Sequence, residues 1–256
     1  MAAQYIALPS GLHLATLAKR PDLIPQAQSL MQTSWPEFML HDPVGIRHFD
    51  NLYTLFPDYQ LALSDESDHL IGLGNSIPFR WNCPEQDLPE GGWVWVLEQG
   101  MKDHEAGLQP NFLSALSVTL SPEVRGRALS APIVQALGTV ARERAFRSLV
   151  VPLRPTWKER HPHMPFDQYI HWKRADGQPY DPWLRVHIKL GAEIVGVATR
   201  SMVIRGTVQE WQAWTGLRFN KSGSYPVPGA LVPLEVDLER NEGLYVEPNV
   251  WLRHPV

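Results

Sequence analysis

Cysteine is almost missing from this chain. Cys83 stands alone, which excludes an intramolecular disulfide framework and a cysteine-rich metal site. That usage fits a reducing compartment, so a cytoplasmic location is expected. Charge of one sign is also missing. The net charge is -4, no Lys/Arg run occurs, and nothing supplies the basic field that a nucleic acid partner needs. No apolar stretch is long enough to span a bilayer, and the N-terminal stretch lacks a charged start followed by an apolar core. Neither a membrane partner nor a leader is therefore expected. Internal repeats and low-complexity tracts are absent as well. What is present, over 256 residues, is enough chain for a substantial core, with ten tryptophans and 23 prolines mostly gathered from Trp81 onward.

The most informative stretch is 114–155, which reads strand, turn, helix, strand. Leu116, Val118 and Leu120 alternate as on a half-buried strand, and Ser121, Pro122 and Glu123 break it. Arg125, Gly126, Arg127, Ala128, Leu129 and Ser130 follow. Behind them Leu129, Ile133, Leu137, Val140 and Ala141 share one helical face. Pro132 fits that helix in its first turn, where the amides lack intrahelical partners. Leu149 to Leu153 then forms a short inner strand. A small-residue turn that enters a helix after a strand aims free amides and a helix dipole at one spot, which suits a pyrophosphate.

These residues resemble the acyl-CoA-binding motif of the GNAT acetyltransferases, Arg-x-x-Gly-x-Gly/Ala after a strand and a Pro-containing turn. Ala128 and Ser130 stand where that family usually has glycine. The order of elements across 12–205 is similar too: a strand near Leu12, helices over 21–34 and 44–56, and a hairpin of strands at 59–64 and 69–77. The central unit follows, then a helix over 182–190 and strands at 193–198 and 201–204. The resemblance implies one α/β domain over 1–256, with a mixed, mostly antiparallel sheet flanked by helices. It also implies acetyl-CoA or CoA as the acyl donor, bound by the amides of Val118, Thr119 and Leu120 and by the turn 125–130. A homodimer is compatible with it.

Two segments lie outside the plain fold. Residues 79–112 form a Trp-rich insertion whose helix spans 93–105, either a lid on the core or a wall of the substrate pocket. Residues 206–256 form a C-terminal extension, expected to cap the sheet. Trp211 and Trp214 sit there on a short helix, and Leu231, Leu234, Val236 and Leu238 can bury a strand. Asp237 and Glu247 are carboxylates available to a site, without a spacing that assigns them one.

Direct acyl transfer to an amine needs donors at the thioester carbonyl, a route for the amine proton and a donor for the departing thiolate. GNAT enzymes often place a tyrosine for the last task, four residues before a glycine that closes a helix. Here that glycine is Gly191 and the residue is His187, which exchanges protons near neutral pH in an ordinary environment. His161 and His163 have no third ligand in the sequence around them, and His254 is terminal, so no metal is expected.

From Val151 onward the chain also looks like the GNAT-like domains of polyketide synthase loading modules. The residues that carry this likeness include Pro152 to Thr156, Asp181 to His187, Glu210, Trp211, Trp214 and Glu247 to Trp251. Those domains decarboxylate malonyl-type thioesters and pass the acyl group to a carrier-protein thiol. Their threonine and histidine would correspond to Thr156 and His187. Three functions follow as expectations. The first is an acyl-CoA-dependent acyltransferase with a small-molecule or carrier-protein acceptor. The second is a malonyl-type decarboxylase or S-acyltransferase, and the third is a CoA-binding module without catalysis.

Overall fold

A computed structural model of the chain describes residues 6–8 and 11–256. Part of the N-terminal stretch read above for a leader, 1–5 and 9–10, lies outside the described residues. The chain opens with β1 (Ile6–Leu8) and β2 (Leu12–Thr16), then α1 (Ile24–Ser34), entered through a 3-10 turn at Pro21–Leu23. The expected helix over 44–56 is two short ones, α2 (Pro43–His48) and α3 (Asn51–Leu55). Asp42 caps the first of them by accepting the N–H groups of Val44 and Gly45. The hairpin β3 (Leu61–Ser64) and β4 (Leu70–Phe79) follows, then α4 (Gly92–Glu105), β5 (Phe112–Leu120), α5 (Ser130–Glu143) and β6 (Leu149–Leu153). After α6 (Phe166–Ile170) and α7 (Pro182–Lys189) come β7 (Glu193–Gly206), α8 (Val208–Thr215), β8 (Gly223–Tyr225), β9 (Leu234–Asp237) and β10 (Glu242–His254).

One ten-stranded sheet runs β1-β2-β3-β4-β5-β6-β10-β9-β8, with β7 on the other edge of β10. Every named pairing is antiparallel except that of β5 with β6. Alternation along the inner strands buries both faces. Leu149, Val151 and Leu153 of β6 join Ile133, Leu137 and Val140 of α5, while Val150 joins Val96, Leu97 and Met101 of α4. The Trp-rich insertion is therefore a packed helix on the face opposite α5.

The C-terminal segment is not a cap. β10 is an interior strand, paired with β6 through Val250–Leu153 to His254–Leu149 and with β7 along most of its length. Alternating residues with charged members read as an outer element, whereas Glu242–His254 is held by strands on both edges. A second correction concerns β7. The strands expected at 193–198 and 201–204 are one strand with a bulge, because Ala198 pairs with Asn249 and Met202 with Glu247. Pro248 lies at that irregularity, where a residue without an N–H fits the ladder. Leu234 and Val236 are buried in β9 as expected, but Leu238 lies past its end and is exposed.

Candidate active site

β5 and β6 pair over two positions only, Leu113 with Leu149 and Ser114 with Val150, and then part. The cause is local. Asn75 pairs with Ser117 and Ser76 with Ala115, so Leu116 is an extra residue in β5, and such a bulge bends a strand. β5 follows β4 up to Leu120, while β6 follows β10 up to Leu153. Between them opens a cleft of about 1100 Å³. Its long walls are residues 115–120 and 151–154, and α1, α2 and Trp93 close it over the 34–40 loop. Trp93 donates its indole N–H to the carbonyl of bulged Leu116 at 3.0 Å. The insertion thus both packs on the core and lends one side chain to the cleft.

The N–H of Ser121 is donated to the Ile71 carbonyl on the β4 side. By alternation along β5, the N–H groups of Val118 and Leu120 face the split and that of Thr119 faces β4. At one end of the cleft, the turn after β5 carries Gly126 at φ +81° and Ala128 at φ +57°. Both are left-handed, which an alanine adopts at a cost of about 1 kcal/mol relative to glycine. The missing glycine is therefore a strain and does not block the loop. α5 starts at Ser130 with no side-chain cap, so its first amides are free of side-chain partners, and Pro132 lies in that first turn.

Of the residues expected to hold CoA, Val118, Thr119, Leu120, Arg125, Gly126 and Ser130 line the cleft. Arg127 and Ala128 are exposed outside it, and Leu129 packs against the core. A Cβ on Gly126 would meet nothing nearby, so only its backbone angle resists substitution. Gly126→Val should raise KM for acyl-CoA roughly tenfold while kcat changes little, since a β-branched residue at that angle costs about 1–2 kcal/mol. Initial rates against acyl-CoA concentration measure this.

Thr156 and His187 both line the same cleft. Asp181 joins them. Its Oδ1 accepts the N–H groups of Trp183 and Leu184, capping α7, and its Oδ2 accepts the Trp157 N–H at 2.7 Å and the Tyr169 hydroxyl at 2.9 Å. One buried carboxylate thus ties the loop behind Thr156 to the helix that carries His187.

His187 is 1% exposed, and its Nδ1 lies 2.7 Å from Nε2 of His254. Its own Nε2 is buried without a protein partner. Trp183 stands edge-to-face against its ring. Burial, and then the neighbouring His254, push its pKa well below the ordinary histidine range. His254 is lowered to about 4 by burial. The expectation of a histidine titrating near neutral pH is corrected: both imidazoles are neutral there. His254, terminal in sequence, became part of the site because β10 is an interior strand.

The cleft also holds a polar group that the sequence pattern left unassigned. Glu247 is 0% exposed. Arg154 Nε donates to both of its oxygens, at 2.9 and 3.0 Å, and an Arg154 terminal nitrogen donates to the Gly229 carbonyl. Tyr245 donates its hydroxyl to Glu247 at 2.6 Å, and Asn249 Nδ2 lies 3.4 Å from it. Tyr245, Glu247 and Asn249 recur every second residue, the spacing of one strand face, and that was the available signal. Asp237 ends β9, where it accepts the N–H groups of Glu239 and Arg240 in the turn that follows.

His161 sits in an aromatic cluster with Tyr169, Trp172 and Tyr180, its Nε2 3.2 Å from the Tyr180 hydroxyl. Among the described residues no group of His, Cys, Asp or Glu is placed to hold a metal ion, and no helix is long and apolar enough to cross a membrane.

No family model matches the chain. A curated relative, arginine N-acetyltransferase avaD of Aspergillus versicolor, is 38% identical over 281 aligned positions, covering 98% of this chain and 96% of the relative. The loading GNATL domain of CurA from Lyngbya majuscula has a similar fold, with a TM-score of 0.60 at 18% identity over 95% of this chain and 97% of that one. The GphF GNAT-like decarboxylase, solved with isobutyryl-CoA, has a TM-score of 0.53 at 16% identity over 95% and 98% of the two chains. The full-length relative, the split β5/β6 pair and the mostly antiparallel sheet agree: the chain belongs to the GNAT superfamily and is an acyltransferase.

Proposed function

We propose that the protein transfers an acetyl group from acetyl-CoA to a nitrogen of arginine or an arginine-bearing molecule. The observation that carries this reading is the split between β5 and β6, with a helix N-terminus at one end and a relative, aligned over 96% of its own length, whose name places it on arginine. In this reading the pantetheine arm lies along β5 and bonds the N–H groups of Val118 and Leu120. The pyrophosphate meets the first turn of α5 and Arg125. The acyl carbonyl then lies between the strands, beside His187.

The composition of the wall formed by residues 34–50 and Trp93 supports a cationic acceptor. The exposed carboxylates Asp50 and Glu37, the latter 3.2 Å from His41 Nε2, line it with Trp35, Phe49 and Trp93, while Arg154 is already engaged by Glu247. A guanidinium is weakly hydrated and stacks on aromatic faces, so carboxylates among tryptophans suit it better than they suit an ammonium. The acceptor nitrogen attacks the thioester carbon once it has lost its proton. The C–N bond forms, the C–S bond breaks, and the electron pair leaves on the CoA sulfur. A neutral imidazole N–H at the reacting group stabilises that developing charge without being consumed.

The test is incubation with acetyl-CoA and, separately, L-arginine, agmatine, L-lysine and L-citrulline, whose side chain has the shape of arginine without its charge, with CoA release and acetylated product read by mass spectrometry. Arginine or agmatine should be acetylated at least about tenfold faster than L-citrulline, the scale of losing one charge-assisted hydrogen bond. Equal rates for all amines would remove the cationic reading. His187→Ala should lower kcat by about 10²–10³-fold, the scale of losing one preorganised donor.

A second reading is favoured by Thr156 and His187 lining one cleft: decarboxylation of a malonyl-type thioester, with both side chains holding the enolate oxygen. Conversion of malonyl-CoA to acetyl-CoA without any acceptor, lost in His187→Ala, would establish it in place of N-acetylation.

A further inference from the structure

The contact between His187 and His254 joins two particular atoms, Nδ1 of the first and Nε2 of the second, at 2.7 Å. At that separation one hydrogen lies between the nitrogens. With both rings neutral, one is the donor and the other the acceptor. There are two ways to place the hydrogen. If His187 Nδ1–H donates, each ring carries its hydrogen on Nδ1, the tautomer that a neutral histidine side chain intrinsically disfavours. If His254 Nε2–H donates, each ring carries its hydrogen on Nε2, the favoured form. The second arrangement is favoured in both rings at once. It also leaves the N–H of His187 on Nε2, which is buried without a protein partner in a residue that lines the cleft.

We infer that His254 is a positioning residue: by donating Nε2–H to His187 Nδ1 it locks His187 as a neutral donor whose Nε2–H serves the thioester. The rest of the surroundings support a fixed ring. Trp183 stands perpendicular to the imidazole with ring centroids 4.3 Å apart, and His187 is one turn along a helix pinned by Asp181. His254 is itself held in register by β6, where it pairs with Leu149, and its carbonyl accepts the Ser148 hydroxyl. The donor is thus supplied by the last residues of an interior strand. This accounts for a polar side chain at the end of β10 being buried and facing α7.

The inference rests on the reading of His187 as a hydrogen-bond donor, and the experiment separates the two. Nitrogen-15 imidazole spectra of the intact protein report which ring nitrogens carry hydrogen, with no substitution at all. His187 is expected to show a protonated Nε2 and an unprotonated Nδ1. The opposite pattern overturns the inference.

Kinetics supply the second arm. His254→Leu removes the donor, while His254→Gln keeps an N–H at similar reach and carries no charge. His254→Leu should lower kcat on the order of 10²-fold, the scale of one misdirected donor, with KM for acetyl-CoA within about twofold. His254→Gln should recover most of that loss. Equal kcat for the Leu and Gln variants, both folded by circular dichroism, would also overturn the inference. If instead His187→Ala retains full kcat, the donor reading of His187 fails, and the spectra still decide the tautomer.

Discussion

Arg154→Met is expected to destabilise the protein by about 3–5 kcal/mol, the range found when one partner of a buried ion pair is removed. The substitution keeps an apolar stem of similar length, so the loss reports the charge. What it leaves behind is Glu247, 0% exposed and deprived of the donor that met both its oxygens. Tyr245 and Asn249 remain, but two neutral donors do not replace a guanidinium. Burial works against the charge of Arg154, and Glu247 and Tyr245 together outweigh it, so the arginine stays charged with a pKa above its ordinary value.

The double variant Arg154→Met/Glu247→Leu should recover at least half of the loss. An apolar pair of matching volume avoids the desolvation that the lone carboxylate suffers. Urea unfolding of the two single variants and the double variant measures the coupling. If the double variant loses as much as the sum of the single ones, the pair is not a unit and the Glu247 site does not act as described. Activity should fall further than stability accounts for, because Arg154 ends the β6 wall of the cleft and ties it both to β10 and to the Gly229 turn.

The catalytic half of the fold was legible because its signals are local. β5, α5 and β6 each announce themselves by periodicity, and Pro132 and the 121–123 break fall at element ends. Helix α7 was legible for the same reason, with Asp181 and Pro182 as an N-cap and a first-turn residue. What was not legible depends on partners distant in sequence. In the sequence, Glu242–His254 is part of a segment expected to cap the sheet. It is an interior strand because Glu247 meets Arg154, 93 residues earlier, and His254 meets His187, 67 residues earlier.

The single long strand Glu193–Gly206 was read as two for a related reason. The break expected at 199–200 coincides with the irregularity opposite Pro248, where the strand continues on the other side. The site follows the same division. Val118, Leu120 and Gly126 were proposed from a motif and His187 from its distance to Gly191, and all four line one cleft. The contacts of Asp181, Glu247 and His254 were not legible, since each meets a partner that only folding brings near.

Asp181→Ala is expected to cost about 2–4 kcal/mol and to lower kcat by more than that destabilisation explains. A helix cap alone contributes about 1 kcal/mol, and each buried donor left unpaired adds about 1–3. Four donors converge on this carboxylate: the N–H groups of Trp157, Trp183 and Leu184 and the hydroxyl of Tyr169. Asp181→Asn separates its two tasks. Asparagine caps a helix as well as aspartate does, so the side-chain oxygen can keep Trp183 and Leu184. Its amide cannot accept from the Trp157 N–H, which releases the loop behind Thr156 while α7 stays capped. The Asn variant should therefore lose less stability than the Ala variant yet show a clear fall in kcat if Thr156 acts beside His187. Thermal unfolding and steady-state rates on the same samples measure both quantities. An Asn variant with full kcat and lowered stability would limit Asp181 to holding the fold, and would leave His187, fixed by α7 and His254, to act in the cleft without Thr156.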